Sequence, residues 1–413
     1  MPRYGSVGGS VGGSVGGSVG GSVGGSVGGS VGGSVGGSVG GSVGGAFAVG
    51  HADSEASPLV SSALLTARDG VTGYWDGSVN QNLADNLDVL KLPGDAGYLD
   101  ALRKPYGGYV LETLMCSRFG FTQILEEKDA ADGTKIKESL GVTMTFDGHP
   151  LTSLTRPTQE HFAKQMSWLR AYADLRDDRL AEIHVQLKDM MSFFGAQSYL
   201  DDGRRKYTLM LLNVVRNLSI QLETPFKYYC RAARPIDYAE QVQPTIQTPN
   251  HSSFPSGHSL ETFAVAAVLY RLQTGNGAAH GISGSRKSVG LDPAVSALPF
   301  RLAHRIATNR TVAGVHFPVD SLAGAYVGCV IADAVWALAS GDTLQPRSLQ
   351  LADNDGGMQA DFLLRDFDLL EGVSDADKPI KDTAILPELA LIWNRAAQEW
   401  PGDPAAIAGE TDE

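Results

Sequence analysis

The sequence has few cysteines, no excess of basic residues and few aromatic residues. Only three of its 413 residues are cysteines: Cys116, Cys230 and Cys329. Three cysteines cannot build a disulfide framework, and their spacing matches no zinc site. The formal net charge is −13, which argues against nucleic acid or an anionic membrane as the main partner.

Long apolar runs are also missing. No stretch reaches the roughly 18 consecutive apolar residues that would cross a bilayer. The most apolar run covers residues 321–331 and lies between Asp320 and Asp333. The first four residues, Met-Pro-Arg-Tyr, lack the apolar core of a secretory signal peptide. We therefore expect a soluble, cytoplasmic protein without a transmembrane segment.

Glycine is abundant because of one low-complexity tract. Residues 6–45 repeat the tetrapeptide Ser-Val-Gly-Gly ten times and hold 20 of the 50 glycines. Glycine loses much conformational entropy on ordering, and one valine in four residues buries too little apolar surface to offset that loss. Residues 1–45 are therefore predicted to be a disordered linker or tail.

Apolar residues recur at helical spacing through most of the remaining chain. After Pro157, the residues Phe162, Met166 and Leu169 lie three or four positions apart, which is typical of a helix with one buried face. Similar patterns predict further helices near residues 54–68, 107–118, 180–194, 207–234, 258–275, 293–309, 318–338 and 388–399. Residues 141–149 suggest at most a short strand pair or an extended loop. The pattern predicts an all-α fold, a helical bundle.

We divide the chain into four segments on this basis. Residues 1–45 are the repeat, and residues 46–195 are an N-terminal helical region. Residues 196–345 form the core that carries the motifs described below, and residues 346–413 are a C-terminal extension.

The first motif places two cations before a proline. Lys227 and Arg234 are seven residues apart, and Pro235 follows. On an uninterrupted helix, seven residues fall about 20° short of two turns, so both side chains would leave the same face about 10 Å apart. Two such cations repel each other unless an anion or carboxylates lie between them. The alternative is a solvated basic face at a helix end, where positive charge suits the helix dipole.

The second motif is Pro255-Ser256-Gly257-His258, which an apolar helical pattern follows. The motif thus places a serine and a glycine at a helix N-terminus, where free backbone N–H groups favour a bound anion. His258, in the first turn, could protonate a leaving oxygen as a general acid. The alternative is an ordinary serine N-cap with an incidental histidine.

The third motif runs from Asn309-Arg310 to His316 and Asp320. Phe317-Pro318 indicates a new helix with proline at its first position. Asp320 would lie in that first turn, close enough to His316 to hydrogen-bond one ring nitrogen. Such a carboxylate fixes the tautomer and raises the basicity of the other nitrogen. A capping aspartate beside a half-buried histidine is the alternative.

Together the motifs predict a site for a tetrahedral or trigonal oxyanion. Lys227, Arg234 and Arg310 would neutralise its charge, while the Ser256 hydroxyl and the Gly257 amide would donate hydrogen bonds. One imidazole could attack or ligate the central atom while the other moves protons. Each motif alone has an ordinary explanation, but three such spacings in this order are improbable by chance.

These motifs resemble the signature of the type 2 phosphatidic acid phosphatase and vanadium haloperoxidase superfamily. The family pattern is Lys-x6-Arg-Pro, Pro-Ser-Gly-His and Ser-Arg-x5-His-x3-Asp, and the match covers residues 227–320. It departs at Asn309, where the family usually has serine, and this difference affects fine positioning more than chemistry. The resemblance implies the α-helical bundle of that superfamily.

The resemblance also implies a role for each matching residue. His316 would be the nucleophile or the vanadate ligand, His258 the acid–base group and Asp320 the residue that orients His316. The oxyanion-binding residues would be Lys227, Arg234, Ser256, Gly257 and Arg310.

Two chemistries fit this set, because phosphate and vanadate have nearly the same shape. A phosphatase would hydrolyse small-molecule phosphate monoesters through a phosphohistidine intermediate and would need no cofactor. A vanadium-dependent haloperoxidase would hold vanadate on His316 and use hydrogen peroxide and a halide. We place the phosphatase slightly ahead.

His251 precedes His258 by seven residues, and it resembles a histidine that lies near the halide in bromoperoxidases of the superfamily. It therefore favours bromide if the protein is a haloperoxidase, although it is also compatible with a loop beside a phosphatase pocket. A protein that binds phosphate or vanadate without turnover is the third alternative. The pair of histidines argues against it, since a binder needs no proton shuttle. The sequence does not indicate an oligomeric state.

Overall fold

The computed structural model describes residues 58–73, 75–78, 97–99, 102, 105–129, 134–283, 296–349, 361–367, 369, 378–402 and 404–407, and the backbone of residues 11–12 and 15–16. The chain divides into two compact units, Met1–Lys91 and Leu92–Glu413. The first unit contains strands β1 (Val11–Gly12) and β2 (Val15–Gly16), which pair in parallel, and helix α1 (Pro58–Thr72). Otherwise the predicted disorder of residues 1–45 lies outside the described residues.

The second unit is mostly helical but contains a small sheet, so the expectation of a purely all-α fold is wrong in this respect. Its strands are β3 (Phe119–Asp129), β4 (Lys135–Phe146) and β5 (His149–Thr155). Its helices are α2 (Tyr106–Cys116), α3 (Gln159–Ala173), α4 (Arg176–Gln186), α5 (Met191–Ser198), α6 (Lys206–Cys230), α7 (Pro235–Tyr238), α8 (Gly257–Thr274), α9 (Ala278–Ser283), α10 (Leu298–Val312), α11 (Pro318–Ser340) and α12 (Pro387–Gln398), and short 3₁₀ turns cover Glu240–Val242 and Leu364–Asp366. The predicted segment boundaries at residues 195 and 345 fall inside this unit and stay predictions.

The three strands form an antiparallel sheet in the order β3-β4-β5. At its buried end, Val142, Met144 and Phe146 alternate inward along β4, as expected for a sheet with one covered face. Asp147 and Gly148, both with positive φ, form the tight turn into β5. The sequence predicted at most a short strand pair, whereas the structure has three strands. The outer half of the sheet is charged and exposed, so it lacks the apolar alternation that marks a strand.

Helix α6 differs from its prediction at the end that carries the first motif. Pro225 predicts a break or a restart of this helix, but that expectation is wrong, because the helix continues through Pro225 and ends at Cys230. Arg231 then adopts a left-handed conformation, with φ of 51°, and its N–H donates to the Lys227 carbonyl at 3.2 Å. Arg234 is extended before Pro235, because the ring of a proline disfavours helical backbone in the preceding residue. The expectation that Lys227 and Arg234 share one helix face is therefore wrong, since Arg234 lies beyond the helix.

Helix α8 is the central element of the core. Almost every residue on all its sides is buried, which is typical of a helix enclosed by others. It packs against α6, α10 and α11. A Cβ atom on Gly324 would lie 2.4 Å from the Ser256 carbonyl oxygen, and one on Gly328 would lie 2.3 Å from that of Leu260. These glycines of α11 therefore allow its backbone to contact that of α8, which fixes the start of α8 next to the start of α11.

Helix α11 is also long and apolar enough, by length and composition, to cross a membrane, with a mean hydropathy of 1.8 over its most apolar 18 residues. The sequence did not indicate this property, because Asp320 and Asp333 interrupt the run of apolar residues. Of that window, 83% is buried inside the fold, and the core helix of a globular domain has the same composition.

Candidate functional site

The three motifs meet where the end of α6, the start of α8, the end of α10 and the start of α11 come together. Backbone hydrogen bonds join the connecting loops. The Ser253 N–H donates to the Ala232 carbonyl at 3.0 Å, and the Ser256 N–H donates to the Asp320 carbonyl at 2.9 Å. Segments that lie 21 and 64 residues apart in the sequence are thus fixed to each other through the main chain.

Aromatic side chains pack beneath these loops. The Phe162 ring of α3 lies 4.9 Å from that of Phe317 and 6.4 Å from that of Phe254, centroid to centroid. Tyr238 stands edge-on to Phe317 at 5.6 Å. Since Phe254 and Phe317 lie within two residues of Ser256 and His316, this packing holds both loops in place.

His316 and Asp320 form the pair that the third motif predicts. The His316 Nδ1 lies 3.0 Å from Asp320 Oδ2, and both residues are buried. The same oxygen accepts from the Phe317 N–H at 2.9 Å and from the Ser253 hydroxyl. Asp320 therefore caps α11 and also contacts the imidazole, so its two alternative roles coexist. Burial raises the pKa of Asp320 to about 6, against the opposing effect of these hydrogen bonds.

Arg234 determines the tautomer of His316. Its Nη1 lies 3.1 Å from His316 Nε2. Because a guanidinium only donates hydrogen bonds, Nε2 must carry the lone pair and Nδ1 must carry the proton that Asp320 accepts. The remaining N–H groups of Arg234 donate to the carbonyls of His251, Ser252 and Val315 and contact His251 Nδ1. All three guanidinium nitrogens thus have protein partners.

The second motif forms the start of α8. Ser256 is the N-cap residue by backbone geometry, but its side chain makes no capping bond. Its Oγ is buried and has no hydrogen-bond partner among the described residues. The Lys227 Nζ reaches this turn and donates to the Pro255 carbonyl at 2.8 Å. A buried hydroxyl without a partner costs free energy, so its position beside a helix N-terminus indicates a binding role more than a capping role.

Arg310 is the least satisfied cation of the site. Its Nη2 donates to Gln186 Oε1 at 2.9 Å and to the Ile183 carbonyl at 3.4 Å. Its Nε and Nη1 are buried without a partner in the described part of the chain. Burial lowers the pKa of Arg310 to about 10, so the guanidinium is still charged at neutral pH.

His258 has a backbone partner that the sequence could not reveal. Its Nε2 lies 3.2 Å from the carbonyl oxygen of Gln186, at the end of α4. Burial and the nearby Arg310 charge lower the pKa of His258 to about 3. The pKa of His316 is also lowered, by burial first and then by the charges of Arg234 and Lys227. Both imidazoles are therefore neutral at pH 7.

Asn309, where the family pattern has serine, makes its side-chain hydrogen bonds to residues of α4. Its side-chain oxygen accepts from Arg179 at 2.8 Å, and its nitrogen donates to Glu182 and to Gln186 Oε1, each at 3.1 Å. Asn309 thus holds the side chain of Gln186, which in turn contacts Arg310.

A family model of the PAP2 superfamily matches residues 207–343. This segment belongs to the PAP2 superfamily. The match includes all three motifs and helices α8, α10 and α11. No curated protein matches the chain. Membership fits phosphatase-type or haloperoxidase-type chemistry, and members of the superfamily are typically phosphatase-type hydrolases that act on small phosphate esters.

A cavity of about 740 Å³ leads into the PAP2 segment beside Lys227 and Arg234. Most of the residues that line it are polar types, among them Glu223, Arg231, Asp237, Thr248, Asn250 and His251. His251 is exposed, and its Nδ1 lies 3.2 Å from Arg234 Nη2. The contacts described above bring the residues of the PAP2 motifs close to one another. Of these residues, Lys227 and Arg234 line the cavity together with His251.

Three further residues of the PAP2 site were not predicted. Gln186 contacts Arg310 and His258, Ser253 donates to Asp320, and the Glu223 carboxylate lies against Gly257. Glu223 could have been found, since it lies four residues before Lys227 on a predicted helix. Gln186 and Ser253 have no such signal in the sequence.

Proposed function

We propose that the protein hydrolyses phosphate monoesters through a phosphohistidine on His316. The observation that carries this proposal is the hydrogen-bonded chain Asp320–His316–Arg234. It places the His316 proton on Nδ1 and the lone pair on Nε2, in the direction of the cations. An imidazole in this tautomer, backed by a carboxylate, is an activated nucleophile.

In the first step, the phosphoryl group lies among Lys227, Arg234 and Arg310. The unpartnered N–H groups of Arg310 and the Ser256 hydroxyl donate to its oxygens, which stabilises the charge that develops in the transition state. The Nε2 lone pair of His316 forms the N–P bond as the bond to the leaving oxygen breaks. The Arg234 Nη1 hydrogen bond moves from Nε2 to a phosphoryl oxygen.

His258 supplies the proton for the leaving oxygen. Its imidazole is neutral when only the cations surround it, because burial and then the charge of those cations lower its pKa. A bound phosphate dianion offsets that charge, so His258 takes up a proton on binding and gives it to the leaving alkoxide. In the second step His258 removes a proton from water, the water oxygen bonds to phosphorus and the N–P bond breaks.

The test is hydrolysis of an aryl phosphate by the full chain, with samples quenched in base and examined for protein-bound phosphate. We expect turnover that vanadate inhibits and a base-stable phosphate adduct that His316→Ala abolishes. His184→Ala is the matched control, because His184 is exposed on α4. Turnover by the His316→Ala variant at the rate of the control would overturn the proposal.

Vanadium-dependent halide oxidation is the second candidate, and His251 is the residue that favours it. The donors without partners, Ser256 Oγ and Arg310 Nε and Nη1, fit the oxygens of vanadate as well as those of phosphate. Vanadate would be held by these groups, Lys227, Arg234 and the Nε2 of His316. When bound, it supplies activation of peroxide for oxidation of a halide. His251, which lines the cavity and lies beside Arg234, would then contact the halide.

A brominatable dye with vanadate, peroxide and bromide tests this candidate. Bromination that requires vanadate and falls in a His251→Ala variant, with aryl phosphate hydrolysis unchanged, favours the haloperoxidase. A protein that binds phosphate and shows neither activity would be the non-catalytic binder.

A further inference from the structure

Glu223 is an acidic side chain beside the site that the three motifs leave unexplained. It lies one helical turn before Lys227 on α6 and lines the same cavity as Lys227 and Arg234. A Cβ atom on Gly257 would lie 2.3 and 2.6 Å from its two carboxylate oxygens. The carboxyl group is therefore packed against the first residue of α8, where the predicted anion-binding amide lies.

One oxygen of this carboxyl group lacks a compensating contact in the part of the chain that the structure describes. Glu223 Oε2 is buried and has no hydrogen-bond partner, and no ion pair joins Glu223 to a cation within 4.0 Å among the described residues. Glu261, one turn along α8, is different, because its Oε2 accepts from Arg216 Nε at 2.9 Å. An ion-pairing role thus suits Glu261 but does not explain Glu223.

The charged groups that face Glu223 act in opposite directions. Lys227 on α6 and Arg234 in the following loop favour its ionised form, whereas burial and the neighbouring Glu261 on α8 favour its neutral form. Burial dominates and raises the pKa of Glu223. The Gly257 contact and the missing partner are independent of this shift, and both place an unsatisfied acid beside the oxyanion donors.

We propose that Glu223 contacts the bound oxyanion and makes its binding depend on protonation: the neutral acid donates a hydrogen bond to an oxyanion oxygen, and the carboxylate repels it. The inference rests on the proposed oxyanion site but on neither of its chemistries. It predicts that the site binds oxyanions more tightly at lower pH. At lower pH Glu223 is neutral, so the negative charge of the oxyanion is not placed next to a carboxylate.

Sulfate is the probe, because it stays a dianion from acid to alkaline pH and only protein groups then change its affinity. Calorimetric titration of the full chain at pH 6, 7 and 8 compares the wild type with Glu223→Gln, which keeps a donor but has no charge. We expect wild-type binding to weaken with rising pH and the Gln variant to bind about tenfold more tightly at pH 8. Glu112→Gln is the control, since Glu112 is a buried carboxylate of α2 that Asn217 contacts.

Glu223→Ala separates hydrogen bonding from charge. Without a donor, it should bind sulfate more weakly than the Gln variant at every pH. Equal pH dependence in the wild type and the Gln variant would overturn the inference, and so would weaker binding by the Gln variant at pH 8, which would mean that Glu223 only positions Lys227. Aryl phosphate hydrolysis is measured in parallel. If sulfate binding depends on pH as expected but aryl phosphate is not hydrolysed, the phosphatase proposal is wrong and the inference about Glu223 stands.

Discussion

Arg234 and Arg310 bring the same charge to the same site, but their hydrogen bonding is opposite. On what we term the paired side, Arg234 and His316 have protein partners for every side-chain nitrogen. On the open side, Ser256, Arg310 and Gln186 each have a buried polar atom without a partner among the described residues. The two sides are joined through the backbone at Ser256 and Asp320.

This difference suggests that one side of the site orients the His316 imidazole and the other side binds the oxyanion. Saturated hydrogen bonds hold the imidazole of His316 in one tautomer and one direction, so the paired side is ordered before a ligand arrives. Unsatisfied buried donors raise the free energy of the folded protein, and a ligand that satisfies them lowers it. An oxyanion should therefore gain most of its binding free energy on the open side and meet its reaction partner on the paired side.

The largest expected effect concerns Asp320, which supports the paired side. In Asp320→Asn the charge that stabilises a positive His316 during attack is lost, so kcat should fall by about a thousandfold. Sulfate affinity should change less than about tenfold, because the open side is intact. Aryl phosphate kinetics and calorimetry measure both. Asp147→Asn is the control, since asparagine tolerates its left-handed turn position. Equal losses in kcat and in sulfate affinity would break the distinction between the two sides.

The next effect concerns stability. Arg234→Met leaves the carbonyls of His251, Ser252 and Val315 without their donor and should lower the free energy of unfolding by about 3 kcal/mol. Arg310→Met loses fewer bonds and removes a poorly solvated charge, so the loss should be at most about 1 kcal/mol. Urea unfolding gives both values, with the exposed Arg231→Met as the reference. A larger loss for Arg310 than for Arg234 would contradict the assignment of the sides.

Binding through the open side gives the third prediction. Arg310→Lys keeps the charge but loses the planar fork, and we expect sulfate affinity to fall by roughly thirtyfold. Ser256→Ala removes one hydroxyl donor and should weaken binding by roughly fivefold. Calorimetry at pH 6 measures both. If neither variant binds sulfate more weakly than the wild type, the donors without partners do not contact the ligand.

The smallest expected effect concerns the protons that the protein takes up when sulfate binds. Near pH 6, His258 is neutral because its pKa is about 3, and a bound dianion raises that pKa. Sulfate binding should therefore be coupled to proton uptake at His258, apart from the protonation of Glu223, and affinity should increase as the pH falls. Calorimetry in buffers of different ionisation enthalpy gives the uptake, and His258→Gln should reduce it. An unchanged uptake in this variant would place the proton elsewhere.

Much of the fold near the site could be predicted from local rules. The helix after Pro-Ser-Gly, the helix after Phe317-Pro318 and the spacing of His316 and Asp320 follow from proline placement and helical periodicity, and α8 and α11 begin where expected. The sheet was underestimated because its charged outer half has no apolar alternation. The prediction placed Arg234 on the same helix as Lys227, but the left-handed conformation of Arg231 ends that helix at Cys230. An arginine in the sequence does not indicate that conformation.

The sequence by itself determined which charges, hydroxyls and imidazoles the site contains, and where α8 and α11 start. Only the tertiary structure decided which of their N–H and O–H groups are used by the protein and which are left for a ligand. The physical reason is that a hydrogen bond depends on the position of the acceptor, and the acceptors here come from distant elements. The Gln186 side chain accepts a hydrogen bond from Arg310 Nη2, and the Val315 carbonyl accepts one from Arg234 Nη1. Two arginines that look alike in the sequence thereby acquire different roles.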